Sequence, residues 1–332
     1  MQGTNTEEIN AILVGAGGDQ LLDELGRLSD TLGLRVVGRL EQNRRDGSGY
    51  LGRGKREELA DIVRGSGADL VVTDDELTAS QARMLEHSCG ASVVDRTELI
   101  IRIFEAHARD AASRLEVELA DLEYRLPRVK GRNPELSRLG GGVGGGRVTR
   151  GPGEQQLEYD RRAIRRRMEA INRKLKEERE NRAVRGARLR DEGPPSVSLV
   201  GYTNAGKTTI LNALSDAGRS TADRLFETLE TTTRLVSHKS GGSNGVVKPD
   251  FVVTDTVGFI RKLPTQLLHS FAGTLEVARE ADVVVLCADA TSETLSEEIE
   301  TASDILGDAG DILCLNKVDL LTEESLYDLR AR

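Results

Sequence analysis

Short apolar runs alternate with amphipathic stretches through the first hundred residues. Ala11-Ile-Leu-Val14 reads as a strand, Asp19 to Leu32 as an amphipathic helix and Leu34 to Val37 as a second strand. A helix over Glu57 to Val63, a strand over Leu70 to Thr73, a helix over Ser80 to His87 and a short strand over Ser92 to Val94 continue the pattern. Strands and helices in alternation predict a small parallel sheet with helices packed on it.

The period then changes. Phe104, Ala108, Ala112, Leu115, Leu119, Leu122 and Leu126 are spaced by three or four residues. They predict a single helical stripe, ended by Pro127. A second stripe runs through Leu157, Ile164, Met168, Ile171 and Leu175. Two such helices joined by a loop can zip into an antiparallel coiled coil. The joining segment, Leu139 to Gly153, is too rich in glycine to pack a core. Asp191-Glu-Gly-Pro-Pro195 punctuates the chain, and from Val197 onward the α/β character returns. The expected organisation is an N-terminal α/β domain at 1–103, a helical coiled-coil subdomain at 104–192 with its Gly-rich loop at 139–153, and a third domain at 193–332.

Composition adds two constraints. Tryptophan is absent and aromatics are 3%, so the cores are aliphatic. The net charge is -9, which argues against indiscriminate nucleic-acid binding. Glu158 to Arg190 departs from that balance, with thirteen Lys or Arg against six acids. A charge run is usually a solvated face. Here the excess is of one sign and adjoins a glycine–arginine loop, which favours contact with RNA phosphates. Arg147, Arg150, Arg161, Arg162, Arg165, Arg166 and Arg167 are the candidates. Cys89, Cys287 and Cys314 lack metal-ligand spacing and read as reduced thiols of a cytosolic protein. No apolar run reaches the roughly 20 residues of a membrane span, and the N-terminus lacks the pattern of a secretory signal. A cytoplasmic monomer is expected. The four histidines, His87, His107, His238 and His269, follow no catalytic pattern.

The chemistry lies in the last domain. The strand Ser196 to Val200 runs into Gly201-Tyr-Thr-Asn-Ala-Gly-Lys-Thr208 and then a helical run from Thr209 to Leu214. This is a P-loop in its strand–loop–helix setting. Backbone N–H groups from Gly201, Tyr202, Thr203, Asn204, Ala205 and Gly206 can converge on phosphate oxygens, aided by the helix N-terminus. Lys207 should reach the β- and γ-phosphates and the Thr208 hydroxyl should ligate Mg²⁺. Gly49-Tyr-Leu-Gly-Arg-Gly-Lys-Arg56 imitates the motif but carries arginine in place of that hydroxyl, with no strand expected before it. It reads as a structural or RNA-facing loop. Gly15-Ala-Gly-Gly18 follows a strand without completing a dinucleotide fingerprint and reads as a turn.

Phe251 to Gly258 is a strand ending in DxxG. Asp255 can hold Mg²⁺ through water and the Gly258 N–H can sense a γ-phosphate, with Thr256 and Val257 between them. Asp311 to Asp319 is a strand ending in NKxD: Asn316, Lys317, Val318, Asp319. Asp319 can accept both the N1–H and the exocyclic amino group of guanine. Adenine lacks that donor pair and would leave the carboxylate unpaired. Asn316 can bond N7 and the Lys317 stem can cover the ring.

The order P-loop, Asp255-Thr-Val-Gly-Phe-Ile260, Asn316-Lys-Val-Asp319 resembles translational GTPases of the HflX family, relatives of the Obg group. Gly49 to Lys55, Asp74-Asp-Glu-Leu77, Val94-Asp-Arg-Thr97, Leu115-Glu-Val-Glu-Leu119 and Arg150-Gly-Pro-Gly-Glu154 resemble that family's signature segments. The resemblance implies an N-terminal α/β domain, a coiled-coil subdomain, a P-loop GTPase domain, and binding of GTP and GDP. It also implies attachment to the large ribosomal subunit near the peptidyl-transferase centre. Phe226-Glu-Thr-Leu229 resembles the family's Phe-x-Thr-Leu, making Thr228 the expected third Mg²⁺ ligand within a nucleotide-facing stretch Phe226, Glu227, Thr228, Leu229 and Glu230. Thr231, Thr232 and Thr233 remain alternatives.

The residue after DxxG, which in Ras-like enzymes is a water-orienting glutamine, is Phe259. Asn204 resembles the asparagine with which some GTPases hold K⁺ against the phosphates. Lys207, Asn204 and Gly258 are therefore the expected catalytic groups. The sequence departs from the family in the extra Gly145-Gly-Arg-Val148. It also lacks room after NKxD for the usual further strand and loop and closing helix, so the GTPase domain reads as missing them. Two rivals stand beside a ribosomal GTPase: a non-catalytic RNA-binding module with an impaired GTPase domain, and a regulatory GTPase acting on a protein or membrane surface.

Overall fold

The computed structural model describes residues 8–16, 20–43, 45–129, 152–215, 226, 232–237, 250–262, 264, 267, 278–307 and 310–331. It divides the chain into two compact units, 1–106 with 115–174, and 107–114 with 175–332.

The first unit is built on four strands, β1 (Asn10–Ala16), β2 (Arg35–Gln42), β3 (Leu70–Thr73) and β4 (Ser92–Asp95). Every pairing is parallel, in the order β2-β1-β3-β4. Helices α1 (Gln20–Thr31), α2 (Arg53–Ser66) and α3 (Ala79–Cys89) connect them. Ile12, Val14, Leu40, Val71 and Val93 form one core with Leu59, Val63 and Leu85. The second strand is twice as long as Leu34–Val37 would give, because its outer half lies at the sheet edge and needs no continuous apolar run. Thr78 and Gln81 close a capping box at the start of α3, which fixes where that helix begins.

The Gly49 segment is not wholly a loop, and a strand does precede it. It follows β2 as a turn in which Tyr50 and Leu51 are buried, and its second half, from Arg53, is the first turn of α2. Tyr50 and Leu51 thus make this turn part of the hydrophobic core.

The signature acids cluster at the C-terminal ends of β3 and β4. Arg96, buried, bonds Asp74 at 2.7 Å and Glu24 at 2.6 Å. Asp95 accepts from the Leu77 N–H at 2.9 Å and from Arg128 at 2.9 Å. Burial pushes the Asp95 carboxyl up, and these donors act against that shift. Removing one partner from such a network strands a buried charge.

The predicted stripe from Phe104 to Leu126 is two helices, α4 (Arg96–His107) and α5 (Ala111–Arg128). Asp110 interrupts it by capping the second helix: its carboxylate accepts from the Ser113 N–H at 2.8 Å and hydroxyl at 2.9 Å. Nor does Pro127 end the helix, which runs one residue further. Pro127 removes a single donor near an end, and the Arg128 guanidinium bonds the Tyr124 carbonyl at 2.9 Å. Helix α6 (Pro152–Glu192) is 41 residues long. Arg167 on it meets Glu118 of α5 through two bonds, 2.6 and 2.7 Å. No described helix is long and apolar enough to cross a membrane.

The second unit holds β5 (Ser196–Gly201), β6 (Thr232–Val236), β7 (Phe251–Asp255), β8 (Val283–Asp289) and β9 (Ile312–Asn316). Their order is β6-β7-β5-β8-β9. Only β6 runs antiparallel, pairing Thr232 with Asp255 and Val236 with Phe251. Helices α7 (Lys207–Ser215), α8 (Leu295–Leu306) and α9 (Glu323–Ala331) belong to the same unit. Val200, Val284, Leu286, Phe259, Ala302 and Leu306 pack into one core. Leu199, Leu211, Val253, Val236 and Cys287 make another.

Candidate functional site

Strand β5 delivers the chain to its C-terminal edge, where parallel sheets ordinarily bind ligands. Gly201 has φ 143° there, and a Cβ on it would lie 2.0 Å from the Cys287 carbonyl oxygen. The loop thus turns hard against β8. Asn204 takes the left-handed region at φ 64° and Gly206 lies at φ 90°. Asparagine tolerates that region, and a Cβ on Gly206 would meet the Asn316 amide at 2.0 Å.

Helix α7 starts at Lys207, two residues earlier than the apolar run suggests, since the P-loop lysine and threonine form its first turn. The Lys207 ammonium donates to the Gly201 carbonyl at 3.0 Å and the Tyr202 carbonyl at 2.8 Å. Burial pushes its pKa down, against the attraction of Asp255. The Thr208 hydroxyl donates to Asp255 Oδ2 at 2.7 Å. Asp255 is fully buried at the end of β7, and the Thr256 hydroxyl is tied to the Leu199 carbonyl at 2.8 Å.

The DxxG turn is stitched to the P-loop. The Thr203 N–H donates to the Phe259 carbonyl at 2.7 Å, and the Phe259 N–H to the Gly201 carbonyl at 2.9 Å. Gly258 lies so close to Thr203 that a Cβ would be 2.7 Å from its Cα. The Phe259 ring is buried with Tyr202 and Val200. Val257 between them is half-buried.

The NKxD motif reaches the same edge from β9. Asn316 Nδ2 donates to the Ala205 carbonyl at 2.9 Å. Lys317 sits in the left-handed region at φ 58° and its ammonium bonds Asp289 at 2.7 Å. Val318 and Asp319 follow in a 3₁₀ turn, both exposed. No motif of the sequence marks Asp289. Its signal is an acid closing the apolar run Val283 to Ala288, at the C-terminal end of a buried strand. Burial opposes the Asp289 charge, but Lys317 and Thr291 together hold its carboxyl below the usual range.

Hydrogen bonds thus tie the P-loop to Asp255, to the DxxG turn and to Asn316 at one edge of the sheet, with Asp319 exposed beside them. In the Phe226 to Glu230 stretch, Phe226 is buried, and Glu227, Thr228, Leu229 and Glu230 lie outside the described residues. So does Thr231, while Thr232 and Thr233 form β6. The Thr233 hydroxyl is 3.0 Å from that of Thr254. Arg147 and Arg150 also lie outside the described residues. Arg161, Arg162, Arg165, Arg166 and Arg167 occupy one stretch of α6, and Arg167 is engaged with Glu118.

A mostly parallel sheet with a P-loop after its central strand, a DxxG aspartate on the P-loop threonine and NKxD on the next-but-one strand defines a P-loop GTPase. Three family models match: "GTP-binding GTPase N-terminal" over 19–105, "GTP-binding GTPase Middle Region" over 107–188, and "50S ribosome-binding GTPase" over 196–317. A GTPase HflX of Caldanaerobacter subterraneus subsp. tengcongensis is 44% identical over 318 residues, covering 94% of this chain and 72% of that protein. The GTPase HflX of Escherichia coli K12 is 39% identical over 280 residues, 82% of this chain and 63% of its own length. The chain belongs to the HflX GTPase family. Among solved structures, the SsGBP–GDP complex superposes with a TM-score of 0.53 at 21% identity, over 96% of this chain and 86% of that one. A GTP-binding protein of Sulfolobus solfataricus in complex with GDP gives 0.51 at 20%, over 97% and 88%. Both show likeness of fold.

Proposed function

We propose that this GTPase docks on the large ribosomal subunit in its GTP state and leaves after hydrolysis, as a cytoplasmic monomer organised as domains 1–103, 104–192 and 193–332. The observation that carries the nucleotide assignment is the mutual bonding of the three motifs, Thr208 to Asp255, Thr203 to Phe259 and Asn316 to Ala205. The ribosomal assignment draws on the description of the third matching family and on the arginine-rich face of α6.

In this reading residues 201–208 cradle the phosphates, with Lys207 at the β- and γ-oxygens. The Gly258 N–H faces the γ-phosphate. Asn316 and Asp319 read guanine, and Lys317, braced by Asp289, covers the ring. The Thr208–Asp255 pair, with Asp255 buried and Thr208 partly so, is a set of oxygen donors of the kind a hard divalent cation takes. Thr208, and Asp255 through water, would hold Mg²⁺, with Thr228 as the switch I ligand. Bound there, the ion would offset phosphate charge. Cosedimentation with large subunits in GTP, GDP and a non-hydrolysable analogue tests the cycle. Attachment in GTP and the analogue, and release in GDP, is expected. Equal attachment in all three would remove the proposal.

Phe259 cannot orient water, and its ring belongs to the core. We expect low turnover in Na⁺, a rise in K⁺ that Asn204→Ala abolishes, and a larger rise with large subunits. Phe259→Leu keeps most of the buried volume and should leave the intrinsic rate nearly unchanged. Truncation to alanine would add a cavity costing about 3–5 kcal/mol. A rapid rate in Na⁺ without ribosomes, lost in Phe259→Leu, contradicts this account.

Replacing Arg165, Arg166 and Arg167 with alanine should weaken ribosome binding and flatten its salt dependence. Arg167→Ala alone should act less on the salt slope, because its guanidinium is committed to Glu118. Unchanged sedimentation of the triple variant at every salt concentration would make this helix a solvated face only.

A further inference from the structure

Of the five tyrosines, Tyr50, Tyr124 and Tyr202 are buried, while Tyr159 is 71% exposed and Tyr327 75%. The two exposed rings stand in opposite electrostatic settings. Tyr327 lies on α9 behind Glu323 and Glu324, where a phosphate backbone is repelled. Tyr159 lies on α6 with Arg162 and Arg166 one and two turns further along the same face. Arg165 adds charge nearby, and Arg173 and Lys174 follow about two turns beyond Arg166. Arg165, Arg166, Arg173 and Lys174 are exposed, and no ion pair joins them to another described residue. Arg162 holds Glu158 at 3.2 Å with 61% of its own side chain exposed, an interaction weak enough to surrender to a phosphate.

Packing does not account for Tyr159, since its ring is mostly in solvent, and helix propensity ranks tyrosine below alanine. An exposed aromatic ring with arginines following it along the same helix face is the arrangement on which an unpaired base stacks while the cations hold phosphates to one side of it. We propose that Tyr159 stacks on an unpaired base of ribosomal RNA, with Arg162 and Arg166 on the adjoining phosphates. This rests on the ribosomal reading above and names the contact within it.

The test uses the full chain, purified large subunits and a non-hydrolysable GTP analogue, with affinity followed against KCl concentration. Tyr159→Ala should weaken binding about tenfold at every salt concentration without changing the slope, because stacking neutralises no phosphate. Tyr159→Phe should bind within about twofold of the unsubstituted chain, since every aromatic face stacks. Arg162→Ala with Arg166→Ala should flatten the slope instead. Unchanged basal GTP hydrolysis by Tyr159→Ala would confirm an intact fold. A photoreactive phenylalanine at 159 should crosslink to RNA. If Tyr159→Ala binds normally, if Tyr159→Phe fails as badly as alanine, or if the crosslink goes only to ribosomal protein, the stacking assignment is overturned while the ribosomal reading stands. If the unsubstituted chain does not bind large subunits, both fall.

Discussion

Asp319→Asn is expected to cost GTP affinity about a thousandfold and to bring xanthosine triphosphate into the site. A carboxylate presents two acceptors to the N1–H and exocyclic amino group of guanine. An asparagine presents one acceptor and one donor, so its NH₂ would face the guanine amino group donor to donor. Xanthine carries a carbonyl at that position and restores a complementary pair. Asp319 is exposed and follows Lys317, whose left-handed backbone and bond to Asp289 set the direction of the turn. The exchange alters no core packing, so the thermal midpoint should hardly move. Titrating GTP, XTP and ATP against both proteins measures the effect. Equal ATP and GTP affinity in the unsubstituted chain would refute the guanine assignment.

Gly206→Ala should lower GTP affinity by about a hundredfold or more, from left-handed strain of roughly 1–3 kcal/mol and the loss of a hydrogen bond. At φ 90° no L side chain is comfortable, and the new methyl would lie 2.0 Å from Asn316 Nδ2. Asn316 would have to leave the Ala205 carbonyl, taking its N7 contact with it. Without nucleotide the loop can relax and shed the strain. Bound phosphate demands the original loop, so the cost falls on binding. Calorimetric titration should show the loss while circular dichroism shows a folded protein. Affinity within threefold of the unsubstituted chain would mean that the loop accommodates the methyl group elsewhere.

The parts of the fold legible in sequence were those written locally. The P-loop, DxxG and NKxD segments each carry their chemistry within eight residues, and each stands where a strand ends. Strand β6 was not legible. Its Thr-Thr-Arg-Leu-Val is mostly exposed and belongs to the sheet only because β7 offers an antiparallel edge. The break between α4 and α5 is hidden in the sequence for the opposite reason. The apolar stripe continues through Ala108 and Ala112, and only the Asp110–Ser113 cap marks the interruption. Asp289 gains its partner from a residue 28 positions on, a distance at which spacing carries no information.

The amide of Asn316 occupies the space above Gly206 while holding the carbonyl of Ala205. If Asn316 reads the base as proposed, one side chain belongs to two recognition events, and the halves of the nucleotide would not contribute independently. A base that pulls Asn316 into place also firms the loop that receives the phosphates. A base that displaces it slackens that loop. Guanosine and inorganic pyrophosphate, bound separately, would each forgo this mutual reinforcement. On that reading a nucleotide with the wrong base would be penalised twice, once at its ring and again at its phosphates.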